Sequence, residues 1–213
     1  MEETERVILG ITMGDPAGIG PEITVKALAQ PGLYEICRPL VIGDVKIMEE
    51  AARIAGHPEI RIHPVASPDG ALFRRGTIDV LDMKLVDVRR LERGKVSAMA
   101  GEAAFRYVEK AIRLAMDHEI DGTVTNAINK EAINLAGHHY SGHTEIYADM
   151  TQTKEYTMML AHENLRVVHV STHVSLREAC DRVKKARVLE VIRIADQACR
   201  ELGIEHPRIG VAG

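Results

Sequence analysis

The sequence predicts an α/β fold in which a mostly parallel sheet is flanked by helices. Short apolar runs of strand length alternate with segments of helical period, as they do in chains built from β-α units. The apolar residues are mainly Ile, Val, Leu, Ala and Met, with two Phe and no Trp among 213 residues, which suits strands buried on both faces. Polar residues repeatedly follow the apolar runs, where the binding sites of such sheets lie.

The first part of the chain contains two clear strand-helix pairs. Val7–Thr12 and Pro39–Gly43 are apolar runs that predict strands, and Ile23–Ala29 and Val45–Ala55 have the period of helices. Pro21 precedes the first helix at a position that favours a helical first turn.

The middle of the chain contains one strong helix signal and one weaker region. Prolines and glycines in Arg61–Arg75 predict a strand edge that continues into a loop, and Thr77–Val88 is expected to form a strand pair or a meander. Ser97–His118 is predicted as a helix capped by Ser97, because its apolar residues recur at helical spacing. The inward face consists of Ala104, Phe105, Val108, Ala111, Ile112 and Ala115.

The last part of the chain is expected to continue the same alternation. The predicted strands are Asp121–Thr125, Tyr156–Ala161, Leu165–Ser171 and Arg208–Ala212. The predicted helices are Asn129–Leu135, Thr144–Thr151 and Val183–Leu202. Gly137 and Gly203 stand where the first and the last of these helices should stop.

Composition and charge exclude several classes of protein. Hydrophobic residues make up 46% and charged residues 27% of the chain, which is typical of a folded rather than a disordered protein. The formal net charge of −4 gives no basic footprint for nucleic acid over the whole chain. No run approaches the roughly 20 apolar residues of a membrane span. We therefore expect neither nucleic acid nor a membrane among its partners.

Cysteine content and the N-terminus both bear on the compartment of the protein. Cys37, Cys180 and Cys199 are odd in number and form no C-x-x-C pair, which disfavours a disulfide framework. The acidic N-terminus leads into an apolar run that is too short for a secretory signal. Together these observations predict a cytoplasmic protein.

A glycine-rich motif follows the first predicted strand. Gly14–Glu22 reads Gly-Asp-Pro-Ala-Gly-Ile-Gly-Pro-Glu, and glycines there allow a close backbone approach to a ligand, while the next helix N-terminus favours anions. The motif differs from the dinucleotide fingerprint and from the P-loop. A plain strand-to-helix turn explains it equally well, so both interpretations stay open.

Two further polar segments are candidate sites. Thr125–Glu131 closes a predicted strand, although either Asn126 or Asn129 could simply cap the helix that follows. His143 and Thr144 offer donors that suit a phosphate or a carboxylate, although Thr144 could also be a helix cap.

A fourth segment, His169-Val170-Ser171-Thr172-His173, ends an apolar run. His169 and His173 are four residues apart, which places two side chains on one face only in a helix, and this segment is predicted to be extended. His173 alone, at the carboxyl end of the strand, is therefore a candidate metal ligand, with a structural histidine as the alternative.

Taken together, Ile11–Ile23, Thr125–Asp149 and Ser171–Leu176 closely resemble the 4-hydroxythreonine-4-phosphate dehydrogenase family, including its branch of 4-phospho-D-threonate and 4-phospho-D-erythronate dehydrogenases. The most specific signatures are Gly-Asp-Pro-Ala-Gly-Ile-Gly-Pro-Glu, Gly-His-Thr-Glu and Ser-Thr-His. The first is also similar to a turn of isocitrate and isopropylmalate dehydrogenases. The resemblance implies their two-domain α/β architecture, with residues 1–125 in a first domain and residues 126–213 in a second, both incomplete.

The resemblance also implies an oxidoreductase that uses NAD and a divalent metal ion (Zn, Mg, Mn or Co). Its substrate would be a four-carbon acid with a phosphate on C4. Hydride would leave the C3 hydroxyl, and the resulting β-keto acid would lose CO2 while the metal polarises the new carbonyl group. Segments 128–132 and 136–140 look more like the threonate and erythronate branch, but both pyridoxine biosynthesis and carbohydrate metabolism stay open as its setting.

Three residues acquire roles from the resemblance. His143 and Thr144 match the substrate-binding residues of the family, and His173 matches a metal ligand. No catalytic residue is assigned. The NAD-binding residues and the remaining metal ligands are expected beyond Gly213, and the full-length protein is expected to be a homodimer.

The family's sequences continue past the position of Gly213, so the resemblance implies a chain that is truncated at its C-terminus. We expect the 213 residues alone to be inactive as a dehydrogenase and to aggregate, because a last apolar strand would lack a cover. The alternatives are a non-catalytic module that binds a phosphorylated acid and an inactive fragment of the enzyme.

Overall fold

A computed structural model describes residues 6–212 of the chain. Its larger sheet consists of β1 (Ile8–Thr12), β2 (Arg38–Gly43), β3 (Arg61–Val65), β4 (Thr77–Asp82) and β5 (Gly122–Thr125). All neighbouring strands of this sheet are parallel, and their spatial order is β3-β4-β2-β1-β5. The predicted α/β fold with a mostly parallel sheet and flanking helices is confirmed.

The helices of this part of the chain are α1 (Gly20–Leu28), α2 (Leu33–Ile36), α3 (Val45–Ile54), α4 (Ala98–Met116), α5 (Lys130–Leu135) and α6 (His143–Met150). α1 and α3 pack against each other, whereas α4 packs against β1, β2 and β5. Leu40, Val41 and Ile42 of β2 are fully buried, as expected for an inner strand of a parallel sheet whose faces are covered by helices. No helix among residues 6–212 is long and apolar enough to cross a membrane.

α4 spans 19 residues and buries the apolar face that its period predicts. Ser97 caps it as expected, with its Oγ accepting the N–H of Ala100 at 3.2 Å. Besides the sheet, α4 contacts α5 and α6. This long helix therefore supports the segment that carries His143.

The second compact unit begins at Gln152 and contains an antiparallel hairpin and two helices. Its elements are β6 (Met159–His162), β7 (Leu165–Val168), α7 (Leu176–Arg182) and α8 (Lys185–Glu201). The Arg187 guanidinium donates to the carbonyls of Val170 and Tyr156 at 3.1 and 3.0 Å. α8 is thereby fastened to the two ends of the hairpin.

The structure corrects two predicted elements. Residues 77–88 contain one strand, β4 (Thr77–Asp82), rather than a pair or meander. The segment after Asp82 leaves the sheet, and the N–H groups of Leu85 and Val86 bind the Asp44 carboxylate. Residues 208–212 are not a strand, since they pair with no other strand in the described part of the chain. The short helices α2 and α7 were not predicted.

The structure divides into compact units at another place than the domain boundary that the resemblance implies, and that boundary stays a prediction. The first unit ends at Thr151, whereas a boundary after Thr125 was expected. α5 and α6 account for the difference, because both pack on α4 and so belong with the parallel sheet.

Candidate functional site

The carboxyl ends of β1 and β5 meet at one edge of the parallel sheet. The two strands pair with Thr12 beside Thr125, and the N–H of Asp15 donates to the carbonyl of Ala127 at 3.0 Å. The chain leaves β1 for β2 on one side, whereas β5 lies on the other side. Ligands of open α/β sheets bind at such switch points, so this edge is the candidate site.

The glycines of the first motif allow the loop after β1 to lie close to the loop after β5. Gly14 has a φ of +78°, and a Cβ built on it would lie 2.6 Å from the carbonyl oxygen of Ala127 and 2.9 Å from the Cβ of Asn126. A Cβ on Gly20 would overlap the carbonyl of Met13. The chain's own backbone fills the space beside these glycines. Of the two interpretations, the strand-to-helix turn explains Gly14 and Gly20, because the chain itself rather than a ligand makes the close approach at these two glycines.

Asp15 closes this turn from inside. Its Oδ1 accepts the N–H of Ala17 at 2.8 Å, and its carbonyl accepts the N–H of Gly18 at 3.0 Å. The residue is 7% exposed. Burial raises the pKa of the Asp15 carboxyl, and the hydrogen bond from Ala17 opposes that rise. The side chain is therefore part of the turn, as an aspartate that bonds its own following backbone.

Asn126 and Asn129 play different roles. The Oδ1 of Asn129 accepts the N–H of Ala132 at 3.0 Å and caps α5. The Nδ2 of Asn126 donates instead to the Thr12 carbonyl at 2.9 Å and to the Thr24 hydroxyl at 2.7 Å. The two alternatives are thus divided between the residues: Asn129 is a cap, and Asn126 connects the ends of β5 and β1 with α1.

His143 is the first residue of α6 and lies half-buried next to the main chain of Asn126. Burial lowers the pKa of His143, and a hydrogen-bonding contact with the main chain of Asn126 partly opposes this. Its Nε2 atom is buried and has no hydrogen-bond partner within the described chain. Nε2 is therefore a nitrogen whose hydrogen bond a ligand can supply.

Thr144 follows directly in α6 and is exposed. The N-cap of this helix is Gly142, and no side chain caps it. Thr144 is consequently not a cap. The two sequence-predicted residues are neighbours in the first turn of α6, where successive side chains point about 100° apart around the helix axis.

The loop before α6 is held against α4 by aromatic and charged contacts. The His138 ring stacks on Phe105 with 3.6 Å between centroids, and its Nε2 lies 2.6 Å from the Oε2 of Glu102. Burial raises the pKa of Glu102, but hydrogen bonds from His138 and Arg106 outweigh it and leave that pKa lowered. These contacts fix the approach of the chain to His143.

His173 lies in the second unit, between β7 and α7. It is exposed and has a φ of +56°. Two residues later, Ser175 and Glu178 form a capping box that starts α7. Within residues 6–212, no three His, Cys, Asp or Glu side chains lie close enough together to hold a metal ion. The described residues therefore do not form a metal centre around His173 by themselves.

Sequence reasoning did not identify Asn126 as a tether or His138 as an anchor. Asn126 bonds Thr12 and Thr24 across 114 and 102 residues, and His138 bonds Glu102 across 36. No local pattern carries such partners. The only available signal was a polar residue directly after a predicted strand, which marked the place of Asn126 but not its role.

Comparisons with known proteins agree with the resemblance. The family model described as "Pyridoxal phosphate biosynthetic protein PdxA" matches residues 35–213. A D-threonate 4-phosphate dehydrogenase of Cupriavidus necator is 46% identical over 206 residues, which make up 97% of this chain and 61% of that protein.

Two solved structures described as 4-hydroxythreonine-4-phosphate dehydrogenases have the same fold. The protein from Burkholderia phymatum matches with a TM-score of 0.88 and 42% identity over 98% of this chain and 62% of its own. The protein from Klebsiella pneumoniae matches with a TM-score of 0.89 and 39% identity over 96% of this chain and 61% of its own.

The chain thus spans 61–62% of the length of these relatives. The matches cover 96–98% of this chain and so include residues of both compact units. The match of the family model over residues 35–213 shows that the chain belongs to the PdxA family of pyridoxal phosphate biosynthetic proteins.

Proposed function

We propose that the protein carrying this sequence is a dehydrogenase of a four-carbon acid phosphorylated on C4, and that His143 and Thr144 bind this acid. The observation that carries the proposal is the Nε2 of His143, which is buried and without a partner in the described chain. A buried nitrogen without a partner costs free energy, and a substrate oxygen would remove that cost.

The surroundings of His143 suit an anionic oxygen. The exposed Thr144 hydroxyl can donate to such an oxygen, and the His143 ring donates through Nε2 once an anion beside it stabilises a proton there. The peptide N–H groups at the start of α6 also favour negative charge. Glu145 lies in the same turn and reduces the positive potential there. The side chains of His143 and Thr144, rather than the helix end alone, therefore account for recognition of a phosphate or carboxylate.

Two substrates fit the proposal. D-Threonate 4-phosphate is the substrate named for the Cupriavidus necator relative, which is 46% identical, and segments 128–132 and 136–140 resemble that branch. 4-Hydroxythreonine 4-phosphate is named for the solved relatives and differs by an amino group in place of a hydroxyl. We propose D-threonate 4-phosphate as the preferred substrate of this chain's complete gene product.

NAD and a divalent metal ion (Zn, Mg, Mn or Co) belong to the proposal through the family resemblance and the dehydrogenase relatives. His173 would supply one metal ligand. Because residues 6–212 bring no three donor side chains together and the Gly14 turn is filled by backbone, we assign substrate binding to this part of the chain and derive no step of hydride transfer or decarboxylation from it.

A homodimer and a cytoplasmic location also remain proposals. The dimer rests on the family resemblance. The location rests on the sequence, since Cys37, Cys180 and Cys199 are odd in number and form no C-x-x-C pair, which favours a reducing compartment.

The proposal is tested with His143→Ala and Thr144→Val in the complete gene product. The loss of a donor to a charged oxygen is expected to raise the KM for D-threonate 4-phosphate by about ten- to hundredfold and to leave the KM for NAD unchanged. His139→Ala is the matched control, because His139 is an exposed histidine of the same loop.

Three results would contradict parts of the proposal. An unchanged KM for the acid in His143→Ala would remove this histidine from the substrate site. A raised KM for NAD in that variant would place it at the cofactor instead. Binding of the acid without turnover in the presence of NAD and Mn²⁺ would favour the alternative, a non-catalytic binding module.

A further inference from the structure

The face of α6 that carries His143 packs against the rest of the first unit. His143, Ile146, Tyr147 and Met150 recur at the spacing of one helix face, and each of them is at least partly buried, whereas Thr144 is exposed. Ile146 has no exposed surface, and Tyr147 and Met150 pack against the same apolar cluster. The place of His143 therefore depends on how this face meets its neighbours.

Ile146 and Tyr147 attach α6 to two different elements. Ile146 packs in an apolar cluster with Phe105 and Val108 of α4, and such contacts have no preferred direction. The hydroxyl of Tyr147 donates a 2.8 Å hydrogen bond to the Oγ1 of Thr123 in β5, which requires a defined distance and angle. The apolar contact alone would let α6 turn on α4, and the bond to Thr123 fixes its rotation.

Tyr147 lies one helical turn after His143 in the same continuous helix, His143–Met150. Four residues advance an α-helix by about 6 Å and turn it by about 400°, so the two side chains point about 40° apart around the axis. A rotation of α6 that breaks the bond to Thr123 would therefore also move His143. Burial raises the pKa of Tyr147, so its hydroxyl keeps the proton that it donates.

We propose that Tyr147 is a positioning residue for His143. Its bond to Thr123 sets the rotation of α6 at which the Nε2 of His143, buried and without a partner in the described chain, meets the phosphorylated acid. The hydroxyl of Tyr147 is committed to Thr123 and needs no contact with the substrate. The inference rests on the proposed function, since it deepens the role of His143 as a ligand of that acid.

A second hydroxyl bond of α6 supplies a matched control. The hydroxyl of Tyr140 donates to the Oδ2 of Asp149 at 2.6 Å and joins the last turn of α6 to the loop before the helix. Asp149 lies six residues after His143, about 9 Å farther along the axis and about 120° around it. Tyr140→Phe thus removes a tyrosine hydroxyl bond of the same helix on a different face from His143.

Steady-state kinetics of the complete gene product test the inference. Tyr147→Phe is expected to raise the KM for D-threonate 4-phosphate by about two- to tenfold, with kcat and the KM for NAD unchanged. Thr123→Val removes the acceptor and should do the same, whereas Thr123→Ser keeps the hydroxyl and should retain the KM of the wild type. Loss of folded protein would lower the apparent kcat rather than raise the KM, so the KM reports position.

Three kinetic results would overturn the proposal. The first is an unchanged KM for the acid in Tyr147→Phe, and the second is an equal rise in Tyr140→Phe. The third comes from the double variant Tyr147→Phe/Thr123→Val, whose KM should be no higher than that of the more affected single variant, because both changes remove the same bond. Additive effects would show that the two side chains act separately.

An activity-independent readout separates failure of this inference from failure of the proposed function. The imidazole resonances of His143, assigned by their loss in His143→Ala, are expected to shift in Thr123→Val, where the Tyr147 ring is retained, and to stay in place in Thr123→Ser. If His143→Ala leaves the KM unchanged but the resonances shift in Thr123→Val, the substrate assignment fails and the positioning of His143 stands. If they stay in place in Thr123→Val, the positioning role fails.

Discussion

The hydroxyl of Tyr107 in α4 donates a 2.5 Å hydrogen bond to the Oδ2 of Asp44, which is buried just after β2. The same carboxylate accepts the N–H groups of Leu85 at 2.8 Å and Val86 at 3.1 Å. One buried charge therefore joins a helix, a strand end and the loop after β4. Burial raises the pKa of Asp44, and the bond from Tyr107 is the largest effect that opposes it.

Tyr107→Phe is expected to lower the free energy of unfolding by about 1.5–3 kcal/mol, the usual value of a hydrogen bond to a charged group. The phenyl ring keeps the packing, so the loss reports the hydroxyl alone. Urea unfolding measures it, with Tyr156→Phe as the control at a more exposed ring. A loss equal to that of the control would show that the two amide bonds suffice for Asp44.

Asp15→Asn is expected to stabilise the fold at neutral pH while keeping the turn, because an amide oxygen can accept the N–H of Ala17. The folded-state pKa of Asp15 is raised above its ordinary value of 3.8, so in the wild type the folded state binds more protons than the unfolded state above pH 3.8. The wild type therefore loses stability relative to the variant as pH rises from 3.8 to the folded-state pKa of Asp15.

Urea unfolding of Asp15→Asn at several values between pH 4 and pH 7 checks the sign. The advantage of the variant should be small at pH 4 and should grow until the pH exceeds the folded-state pKa of Asp15. Asp69→Asn, at an exposed aspartate, should show no such trend. A difference that does not vary with pH would contradict the burial of an ionised carboxylate here.

Gly101→Ala is expected to destabilise the protein by about 1–3 kcal/mol, although alanine is the better helix former. A Cβ on Gly101 would overlap the main chain of Ala132 in α5. Gly32→Ala is the contrasting variant, because Gly32 has a φ of −84° and no atom within 4 Å of an added Cβ. Thermal unfolding should show a loss for Gly101 and no loss for Gly32; equal shifts would mean that α4 and α5 can separate at no cost.

His138→Ala is expected to free the loop before α6, since it removes the stack on Phe105 and the bond to Glu102. We expect a stability loss of about 1 kcal/mol and faster amide hydrogen exchange over residues 137–142. His139→Ala, one residue away and exposed, should leave that exchange unchanged. Unaltered protection in His138→Ala would show that the loop is held by other contacts.

Most regular elements of the first unit were predictable because their signals are local. The period of α4, the cap at Ser97 and the glycine after α5 are readable within a few residues, and the structure confirms each. The end of β4 was not predictable in this way. Residues 83–88 are partly apolar, and what removes them from the sheet is the carboxylate of Asp44, about 40 residues earlier.

In the candidate site too, features with a local sequence signal were predictable, and features that depend on distant residues were not. His143 and Thr144 were predicted from four consecutive residues, and the structure places both in the first turn of α6. The unpartnered Nε2 of His143 and the tether of Asn126 depend on the pairing of β1 with β5, which no spacing reveals. His173 stays a prediction, because the donors that would make it a metal ligand are not among its neighbours in residues 6–212.

The pairing of β1 with β5 also has a consequence for the order in which the chain folds. β2 lies about 30 residues after β1, so these two strands can meet early. The pairing of β1 with β5 brings Asn126 to Thr12 across 114 residues. Closing this longer loop is slower and costs more entropy. During synthesis, we expect β1 to pair with β2 first. The other edge of β1 stays unpaired until α4 and β5 have left the ribosome. Pulse-labelled hydrogen exchange during refolding should then protect Val41 before Val124, so the binding edge of the sheet would be the last part of the first unit to form.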